Sequence, residues 1–267
     1  MIKVIVAGAA GRMGCRLVAL IKDSTALMLA GAVEGKGHHA LGEDAGEVAG
    51  AGRAGVPITD DLSALLERAE VVVDFSSPDA TLHHLRCAAQ HRRAMVIGTT
   101  GFSAREIDEL KSLARQVPCV CSPNMSVGVN LMYKVLSEMA KTLGDEYDIE
   151  VIEAHHRLKK DAPSGTALKI AEVLARAVNR DLNQVAVYER KGMVGERKKT
   201  EIGIQTIRAG DIVGDHTVLF GGMGERIELT HRASSRDTFA RGALRAARWV
   251  VRQPPGLYDM MDVLSLK

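Results

Sequence analysis

Residues 6–14 read VAGAAGRMG, a G-x-x-G-x-x-G pattern whose glycines are Gly8, Gly11 and Gly14. The apolar run from Ile2 to Ala7 predicts a strand before this pattern, and the apolar stripe within Met13 to Lys22 predicts a helix after it. A glycine turn between a strand and a helix is typical of dinucleotide-binding folds, because the N–H groups at the helix start stabilise phosphates. The stretch therefore predicts a Rossmann-like sheet, the alternative being a tight strand-to-helix turn that binds nothing.

The three glycines have separate physical roles in such a turn. Gly8 lets the strand turn sharply, Gly11 lets the backbone approach a pyrophosphate, and Gly14 lets the helix lie close to the sheet. With the residues between them, the predicted pyrophosphate contacts are Gly8, Ala9, Ala10, Gly11, Arg12 and Met13.

Glu34 lies 20 residues after Gly14, at the end of the next predicted strand. An acidic side chain at this position can accept hydrogen bonds from both hydroxyls of the adenosine ribose. Gly35 follows, so no arginine stands directly beside Glu34 to pair with a 2′-phosphate. We therefore expect NADH or NADPH as cofactor, with NADH favoured and with Lys36 or the His38–His39 pair as sources of charge for NADPH.

The first half of the chain continues to alternate apolar runs with helical patterns. Further strands are predicted at Glu70–Phe75, Ala94–Gly98 and Pro118–Ser122, and helices at Thr81–His91 and Ser103–Gln116. Continuous Val and Ile runs between helices are typical of a parallel sheet that is covered on both faces. Residues 35–57 read as a long loop, rich in Gly, Ala and His.

The pattern changes after Pro123, where helices become fewer and strands follow one another. The predicted elements are helices at Met125–Leu143, Pro163–Val178 and Asp237–Arg252 and strands at Asp148–His155, Glu201–Ala209, His216–Gly221 and Glu225–His231. Ile227 and Leu229 alternate with polar residues, as in a sheet with one solvated face. We expect an α/β protein: a doubly wound parallel sheet formed by 1–125 and 237–267, and a second α+β domain with a mixed sheet formed by 126–236.

Composition excludes several classes of function. The 267 residues include 35 Lys and Arg against 33 Asp and Glu, a net charge of +2, which argues against a general nucleic-acid binder. No apolar run of about 18 residues predicts a membrane span, and no secretory leader is recognised. The four cysteines match no zinc pattern, so we expect no metal and a reduced protein in the cytoplasm.

The carboxyl ends of two further parallel strands contribute candidate cofactor contacts. Parallel sheets bind ligands in the crevice at that edge. The candidates are Gly98, Thr99 and Thr100 after one strand, with threonine hydroxyls and backbone groups for a nicotinamide amide, and Ser122, Pro123, Asn124 and Met125 after the next. Either turn taken alone is more simply a connection between a strand and a helix. Phe75 is a weaker candidate for an apolar contact with the cofactor.

Residues 153–167 read EAHHRLKKDAPSGTA and contain the main candidate catalytic and substrate-binding residues of the second half of the chain. Five of the six residues from His155 to Lys160 can carry positive charge, and the two histidines titrate near neutral pH. The run leads into a predicted helix start, where the backbone N–H groups of Gly165 and Thr166 can bind a carboxylate. Together these features suit a small substrate with two carboxylates, whereas a solvated charged face is the simpler alternative.

This segment resembles the signature of the dihydrodipicolinate reductase family of bacterial lysine and diaminopimelate synthesis. The resemblance spans nearly the whole chain and includes the glycine turn, residues 98–102 (GTTGF), residues 124–130 (NMSVGVN) and residues 234–236 (SSR). It implies NAD(P)H-dependent reduction of 4-hydroxy-tetrahydrodipicolinate to tetrahydrodipicolinate with loss of water. The family often has an arginine after the acidic residue, and Gly35 stands there instead.

The resemblance also implies roles for individual residues. His155 is the expected proton donor or acceptor, Lys159 the expected proton donor, and His156, Gly165 and Thr166 the expected carboxylate ligands, with Arg236 as a further cation. It implies the cofactor contacts named above, and a homotetramer built through the mixed sheet.

Two other functions remain open from the residues alone. A semialdehyde dehydrogenase needs a cysteine nucleophile in the cofactor crevice, and Cys119 and Cys121 lie on a strand that reaches it. A non-catalytic nucleotide sensor needs the glycine turn and Glu34 but neither His155 nor Lys159.

Overall fold

The computed structural model describes residues 1–267. The strands are β1 (Ile2–Ala7), β2 (Leu27–Val33), β3 (Ile58–Thr59), β4 (Val71–Asp74), β5 (Ala94–Ile97), β6 (Pro118–Cys121), β7 (Asp148–His155), β8 (Ala186–Val187), β9 (Ile202–Arg208), β10 (Gly214–Gly221), β11 (Arg226–Ala233) and β12 (Gly256–Tyr258). The α-helices are α1 (Arg12–Lys22), α2 (Ala45–Val48), α3 (Ser63–Leu66), α4 (Pro78–Gln90), α5 (Ala104–Leu113), α6 (Val127–Leu143), α7 (Gly165–Ala177), α8 (Leu182–Val185), α9 (Asp237–Val250) and α10 (Met260–Val263).

The chain divides into two compact units. The first comprises Met1–Val127 and Arg236–Lys267, and the second comprises Gly128–Ser235. None of the helices combines the length and the hydropathy that a membrane span requires.

The first unit is built on a seven-stranded sheet in the order β12-β6-β5-β4-β1-β2-β3, in which every pair is parallel. Alternate residues of β1 point to opposite faces, so Val4 and Val6 join one apolar core with α1 and α9 while Ile5 joins another with α4 and α5. The two cores account for the continuous apolar runs, and the predicted doubly wound parallel sheet is confirmed.

The strand order reverses between β1 and β4, which lie side by side although other elements separate them in the chain. Ala7 pairs with Asp74, and Asp74 pairs with Ile97, so the carboxyl ends of β1, β4 and β5 meet at one edge. Ligands of open α/β sheets bind outside the carboxyl ends at such a reversal.

The long loop predicted over residues 35–57 contains one short helix, α2. Asp44 organises the loop, because its carboxylate accepts hydrogen bonds from five backbone N–H groups; the donors are Gly46, Glu47, Ala54, Gly55 and Val56. These bonds outweigh desolvation and lower the pKa of Asp44 to about 2. Sequence periodicity misses such a loop because a single side chain, rather than a repeating pattern, orders it.

The second unit contains a mixed five-stranded sheet in the order β11-β10-β7-β9-β8, as predicted for this region. β10 pairs antiparallel with β7 and β11, while β9 pairs parallel with β7 and β8. Inward residues of β7, β9 and β10 pack against α6 and α7 in one apolar core, for example Val151, Ile204 and Phe220. On the edge strand β11 the expected alternation of buried apolar and exposed polar residues is only partly present. Leu229 packs on this core, but Ile227 is 39% exposed.

Candidate active site

The glycine turn between β1 and α1 requires glycine at its first and last positions. Gly8 has a φ of +74°, and a Cβ there would lie 2.8 Å from the Phe75 carbonyl oxygen. A Cβ on Gly14 would lie 2.0 Å from the Gly8 carbonyl oxygen, which is a clash with backbone. The backbone geometry of the turn therefore requires glycine at both positions.

Gly11 differs from the other two. A Cβ there would meet only the Gly8 carbonyl oxygen, at 3.2 Å, and its φ of −73° is open to any residue. Gly11 is also the N-cap of α1, where no side chain caps the helix and no acidic residue lies in the first turn. The turn thus presents an uncapped helix start, and the absence of a side chain at Gly11 leaves room for a phosphate to approach it.

Glu34 follows β2 directly and reaches back to the glycine turn. Its Oε1 accepts a hydrogen bond from the Ala10 N–H at 2.8 Å, and its Oε2 accepts one from the Gly35 N–H at 3.2 Å. A Cβ on Gly35 would have no atom within 4 Å, so nothing in the fold demands a glycine there. The carboxylate therefore stands beside the pyrophosphate turn, where a ribose would follow the phosphates.

In the turn after β5, Thr99 faces the protein interior. Its side chain is buried rather than offered to a ligand, because its hydroxyl accepts the Ser76 N–H at 3.1 Å and lies 2.8 Å from the Thr81 hydroxyl. Thr100 is exposed. The Thr99 hydroxyl therefore has its hydrogen-bond partners within the protein, whereas the Thr100 side chain is accessible.

The turn after β6 is held from two sides. The Ser122 hydroxyl donates to the Asn124 carbonyl at 3.0 Å, and the Asn124 side-chain oxygen accepts the Ser126 N–H at 2.9 Å. Met125 is buried against α9, where a Cβ on Gly242 would lie 1.7 Å from the Met125 carbonyl oxygen. The candidate cofactor residues of β1, β2, β5 and β6 thus all lie at the carboxyl edge of one sheet.

In the second unit, a buried carboxylate organises the candidate catalytic residues. Glu153 and His155 lie on the same face of β7, and Glu153 Oε2 is 2.6 Å from His155 Nδ1. Arg208 on β9 donates to both carboxylate oxygens, each at 2.9 Å, and the Ser164 N–H donates to Oε1 at 2.9 Å. One side chain therefore joins His155, the end of β9 and the start of α7.

The charge state of Glu153 follows from these contacts. Burial acts most strongly and would raise its pKa, but the hydrogen bonds from His155, Arg208 and Ser164 together lower the pKa of Glu153 to about 2. An ionised Glu153 holds the proton of His155 on Nδ1, so Nε2 is the nitrogen presented for chemistry. A Cβ on Gly214 would lie 3.0 Å from that Nε2, so the glycine keeps the approach clear.

A second histidine lies against the first. The His216 ring meets the His155 ring edge-on at a centroid distance of 5.2 Å, and its Nε2 is 3.3 Å from the Ser164 hydroxyl. Burial, reinforced by the charge of His155, lowers the pKa of His216 to about 4. His216 is therefore neutral near pH 7 and supports the His155 ring without adding charge.

The cationic run divides into partly buried and exposed residues. Lys159 is 21% exposed at its side chain, and its ammonium pairs with Asp161 at 2.9 Å. His156 is partly buried, with an Nδ1 that has no hydrogen-bond partner, whereas Arg157 and Lys160 are exposed. The run is thus not simply a solvated face.

The start of α7 lies where the sequence predicts it, with Ser164 as the N-cap. The Ser164 hydroxyl accepts the Ala167 N–H at 3.2 Å, and the first turn contains no acidic residue. Gly165 is exposed and Thr166 partly buried at this helix start. Arg236, by contrast, belongs to the first unit, where it is exposed immediately before α9.

Sequence reasoning missed Glu153, Arg208 and His216 as parts of this site. Glu153 had a detectable signal, since an acidic residue at an inward position of a strand, two residues before a candidate catalytic histidine, requires a partner. Arg208 and His216 lie more than 50 residues away in the chain, and only the pairing of β7 with β9 and β10 brings them near His155.

The cysteines are poorly suited to nucleophilic catalysis. Burial raises the pKa of the Cys119 thiol and raises that of Cys121 to about 11, so neither carries useful thiolate near neutral pH. All four cysteines are free, and no group of three or more His, Cys, Asp or Glu side chains is placed to hold a metal ion.

Comparison with known proteins gives one consistent result. The family models described as dihydrodipicolinate reductase, N-terminus and C-terminus, match residues 2–125 and 128–264. The chain is 57% identical to the 4-hydroxy-tetrahydrodipicolinate reductase of Syntrophus aciditrophicus and 55% identical to that of Syntrophobacter fumaroxidans, in each case over 100% of both chains. The dipicolinate-bound dihydrodipicolinate reductase of Paenisporosarcina sp. TG-14 superposes with a TM-score of 0.77 at 26% identity, covering 98% of each chain.

Proposed function

We infer that this chain, which belongs to the dihydrodipicolinate reductase family, is an NAD(P)H-dependent 4-hydroxy-tetrahydrodipicolinate reductase of lysine and diaminopimelate biosynthesis. It reduces 4-hydroxy-tetrahydrodipicolinate to tetrahydrodipicolinate with loss of water. The observation that carries this function is the Glu153 cluster, which holds His155 at the start of α7. Neither a nucleotide sensor nor a cysteine-dependent dehydrogenase needs this arrangement.

The cofactor site that we propose lies along the carboxyl edge of the parallel sheet. The uncapped start of α1 and the unobstructed Gly11 fit a pyrophosphate, and Glu34 fits the adenosine ribose. The turns at 98–100 and 122–125 fit the nicotinamide end. When bound, the reduced cofactor supplies the hydride, and the protein supplies position and electrostatic environment.

We propose that both cofactors are used and that NADH is preferred. Glu34 offers a carboxylate to ribose hydroxyls, and a 2′-phosphate beside it meets like charge. Gly35 provides no cation, although Lys36 and His39 are close to it in the sequence.

The Gly35→Arg variant tests this preference, because the position has open space for a side chain. The introduced arginine can pair with the 2′-phosphate of NADPH. The kcat/KM for NADPH, divided by that for NADH, should therefore rise about tenfold. Gln116→Arg, at an exposed position just before β6 and at the opposite edge of the sheet, is a control of equal added charge. An unchanged ratio in Gly35→Arg, or an equal rise in both variants, would contradict the role of this position.

For the substrate, we propose that a carboxylate is held by His156 and the start of α7, and we keep Arg236 as the further cation that the sequence resemblance implies. A buried Nδ1 on His156 and an N-terminal helix turn without acidic residues both suit an anion. The relative from Paenisporosarcina is dipicolinate-bound, which supports a small dicarboxylate as ligand here.

In the reaction, hydride addition to the ring C=C creates a demand for a proton on the conjugated system. We assign proton donation to Lys159, a cation whose charge is partly shielded from water. His155 presents Nε2 as donor or acceptor, while Glu153 stabilises the imidazolium whenever His155 is protonated. Arg208 keeps Glu153 ionised throughout, so the histidine rather than the carboxylate exchanges the proton.

We also propose a homotetramer assembled through the mixed sheet, and a location in the cytoplasm. Ile207 is 46% exposed and Ile227 39% exposed on this sheet, which leaves apolar surface for a partner copy. Four free cysteines suit a reducing compartment. Light scattering of the purified protein tests the assembly, and a monomer at micromolar concentration would refute it.

A coupled assay tests the reaction itself. The purified protein should consume NADH, and more slowly NADPH, only while the upstream synthase delivers its product. The Lys159→Ala variant should bind NADH normally yet lose about 10²- to 10⁴-fold in kcat. Absence of cofactor oxidation in the complete wild-type mixture would overturn the proposed function.

A further inference from the structure

A second buried carboxylate, Asp74, lies at the carboxyl edge of the parallel sheet and has no place in the reaction described above. Asp74 is the last residue of β4 and is 0% exposed. Its neighbours in the sheet are Ala7 of β1, which leads into the glycine turn, and Ile97 of β5, which leads into the turn at 98–100. A carboxylate buried at the strand reversal needs several partners to offset its desolvation.

The partners of Asp74 come from the turns that follow β4 and β5 and from α4. Oδ1 accepts the Ser76 N–H at 2.9 Å, the Ser76 hydroxyl at 2.6 Å and the Thr99 hydroxyl at 3.3 Å. Oδ2 is 2.7 Å from Nδ1 of the buried His84. One carboxylate thus fixes two turns that border the proposed nicotinamide site.

The Thr99 hydroxyl is fully used inside this network. The Thr81 hydroxyl lies 2.8 Å from the Thr99 oxygen and 3.2 Å from Asp74 Oδ1, so it belongs to the same network. Thr99 also accepts the Ser76 N–H at 3.1 Å, which leaves its own proton for Asp74. Its side chain therefore anchors the turn from within, and only the backbone of residues 98–100 and the Thr100 side chain remain for a ligand.

Phe75 connects the Asp74 network to the glycine turn and to the turn after β5. Its N–H donates to the Ala7 carbonyl at 3.3 Å, and its ring lies only 2.1 Å from the position that a Cβ on Gly98 would occupy. Its carbonyl oxygen lies against Gly8, 2.8 Å from the position that a Cβ would occupy there. A shift of the Phe75–Ser76 segment would therefore move both the glycine turn and the turn after β5.

We propose that Asp74 is a positioning residue for the reduced nicotinamide: by binding Ser76, Thr99 and His84 it sets the backbone of residues 98–100 against the cofactor. The proposal rests on the proposed cofactor site. Asp74 does not touch the cofactor, and it acts through Thr99.

The test compares Asp74→Asn, Thr99→Val, Thr99→Ser and the Asp74→Asn/Thr99→Val double variant. Equilibrium Kd for NADH, KM for the dicarboxylate substrate and thermal midpoint are measured for each. Asp74→Asn and Thr99→Val should each weaken NADH binding about tenfold, whereas Thr99→Ser, which keeps the hydroxyl, should stay within about twofold of wild type. Substrate KM at saturating NADH should not change.

The double variant should bind NADH no more weakly than the worse single variant, since both changes break one linkage. Ser103→Ala is the control, because it removes the N-cap of α5 after the same turn without touching Asp74. It should lower the thermal midpoint and leave the Kd for NADH unchanged.

Three results would overturn the positioning role: normal NADH binding in Asp74→Asn, additive losses in the double variant, or an equal loss of binding in Ser103→Ala. If Asp74→Asn does not fold, the two Thr99 variants still test the positioning role. NADH affinity should then fall in Thr99→Val and stay close to wild type in Thr99→Ser. Failure of the wild-type protein to bind either NADH or NADPH would instead refute the cofactor site.

Discussion

Each of the two units contains a buried carboxylate bound to the Nδ1 of a histidine. In the first unit, Asp74 lies 2.7 Å from His84, and in the second, Glu153 lies 2.6 Å from His155. The other partners differ. Asp74 is surrounded by hydroxyls and a backbone N–H, whereas Glu153 also receives two hydrogen bonds from Arg208.

This difference supports the proposal that the Asp74 pair has a structural role and the Glu153 pair a catalytic one. Arg208 compensates the charge of Glu153, so His155 can gain or lose a proton without leaving a carboxylate buried and unpaired. Asp74 has no Lys or Arg partner, and its histidine is a buried residue of α4. We therefore propose that a carboxylate and a histidine serve proton transfer where a third group, here Arg208, carries the balancing charge.

The largest difference between the two pairs is expected when the same substitution is made in both histidines. His155→Gln should lower kcat about 10²- to 10⁴-fold, because the proton-exchanging group is lost, with little change in the Kd for NADH. His84→Gln retains a hydrogen-bonding side chain near Asp74, and we expect kcat within about tenfold of wild type and a weaker Kd for NADH. Steady-state kinetics with NADH titration measures both, and equal losses of kcat would remove the distinction.

The second unit should lose stability in acid around Glu153 and His216. The pKa of His216 is lowered by burial to about 4, so the unfolded chain binds a proton more readily than the folded one, and stability falls as pH drops from about 6.5 towards 4. The pKa of Glu153 is lowered to about 2, so its contribution is present above about pH 4.5 and is lost as pH falls towards 2.

Hydrogen exchange of the β7 and β10 amides measures this loss, which we expect to reach about 2–3 kcal/mol between pH 7 and pH 4. His216→Phe removes the titrating group and should flatten the dependence above pH 4, whereas the exposed His39→Phe should not. Retention of the full pH dependence in His216→Phe would exclude His216 as its source.

The smallest effect is expected at Gly214, on the approach to His155. A Cβ there lies 3.0 Å from His155 Nε2, so Gly214→Ala should displace the ring by a few tenths of an ångström and lower kcat about three- to tenfold. Gly221→Ala, on the same strand and with its nearest contact at 3.5 Å, is the matched control. Equal kcat values for the two variants would show that the ring tolerates the contact.

Much of the architecture was predictable because it depends on local patterns. Continuous apolar runs such as Val71–Val73 identify parallel strands that are buried on both faces, and the glycine spacing identifies the first strand-to-helix turn. The short edge strand β12 and the helices α2 and α8 were not predicted, since three or four residues carry too little periodicity to be recognised.

The candidate site was predictable in part. His155, Lys159 and Gly165 fall in one continuous segment, so a motif could identify them. Arg208 and His216 could not be found in this way, because strand pairing alone brings them to Glu153. The partners of the Thr99 hydroxyl could not be predicted either, because Asp74 and Thr81 are 25 and 18 residues away in the chain.

The class of fold, the glycine turn, the segment with the candidate catalytic residues and the family could all be recognised from the amino-acid sequence. These features depend on the spacing and the types of residues, which are properties of the sequence. Which carboxylate binds which histidine, and which hydroxyls face inward, became clear from the three-dimensional structure. Those properties arise when buried polar groups must find partners across strands, and the partner that satisfies each group is set by register and burial rather than by proximity in sequence.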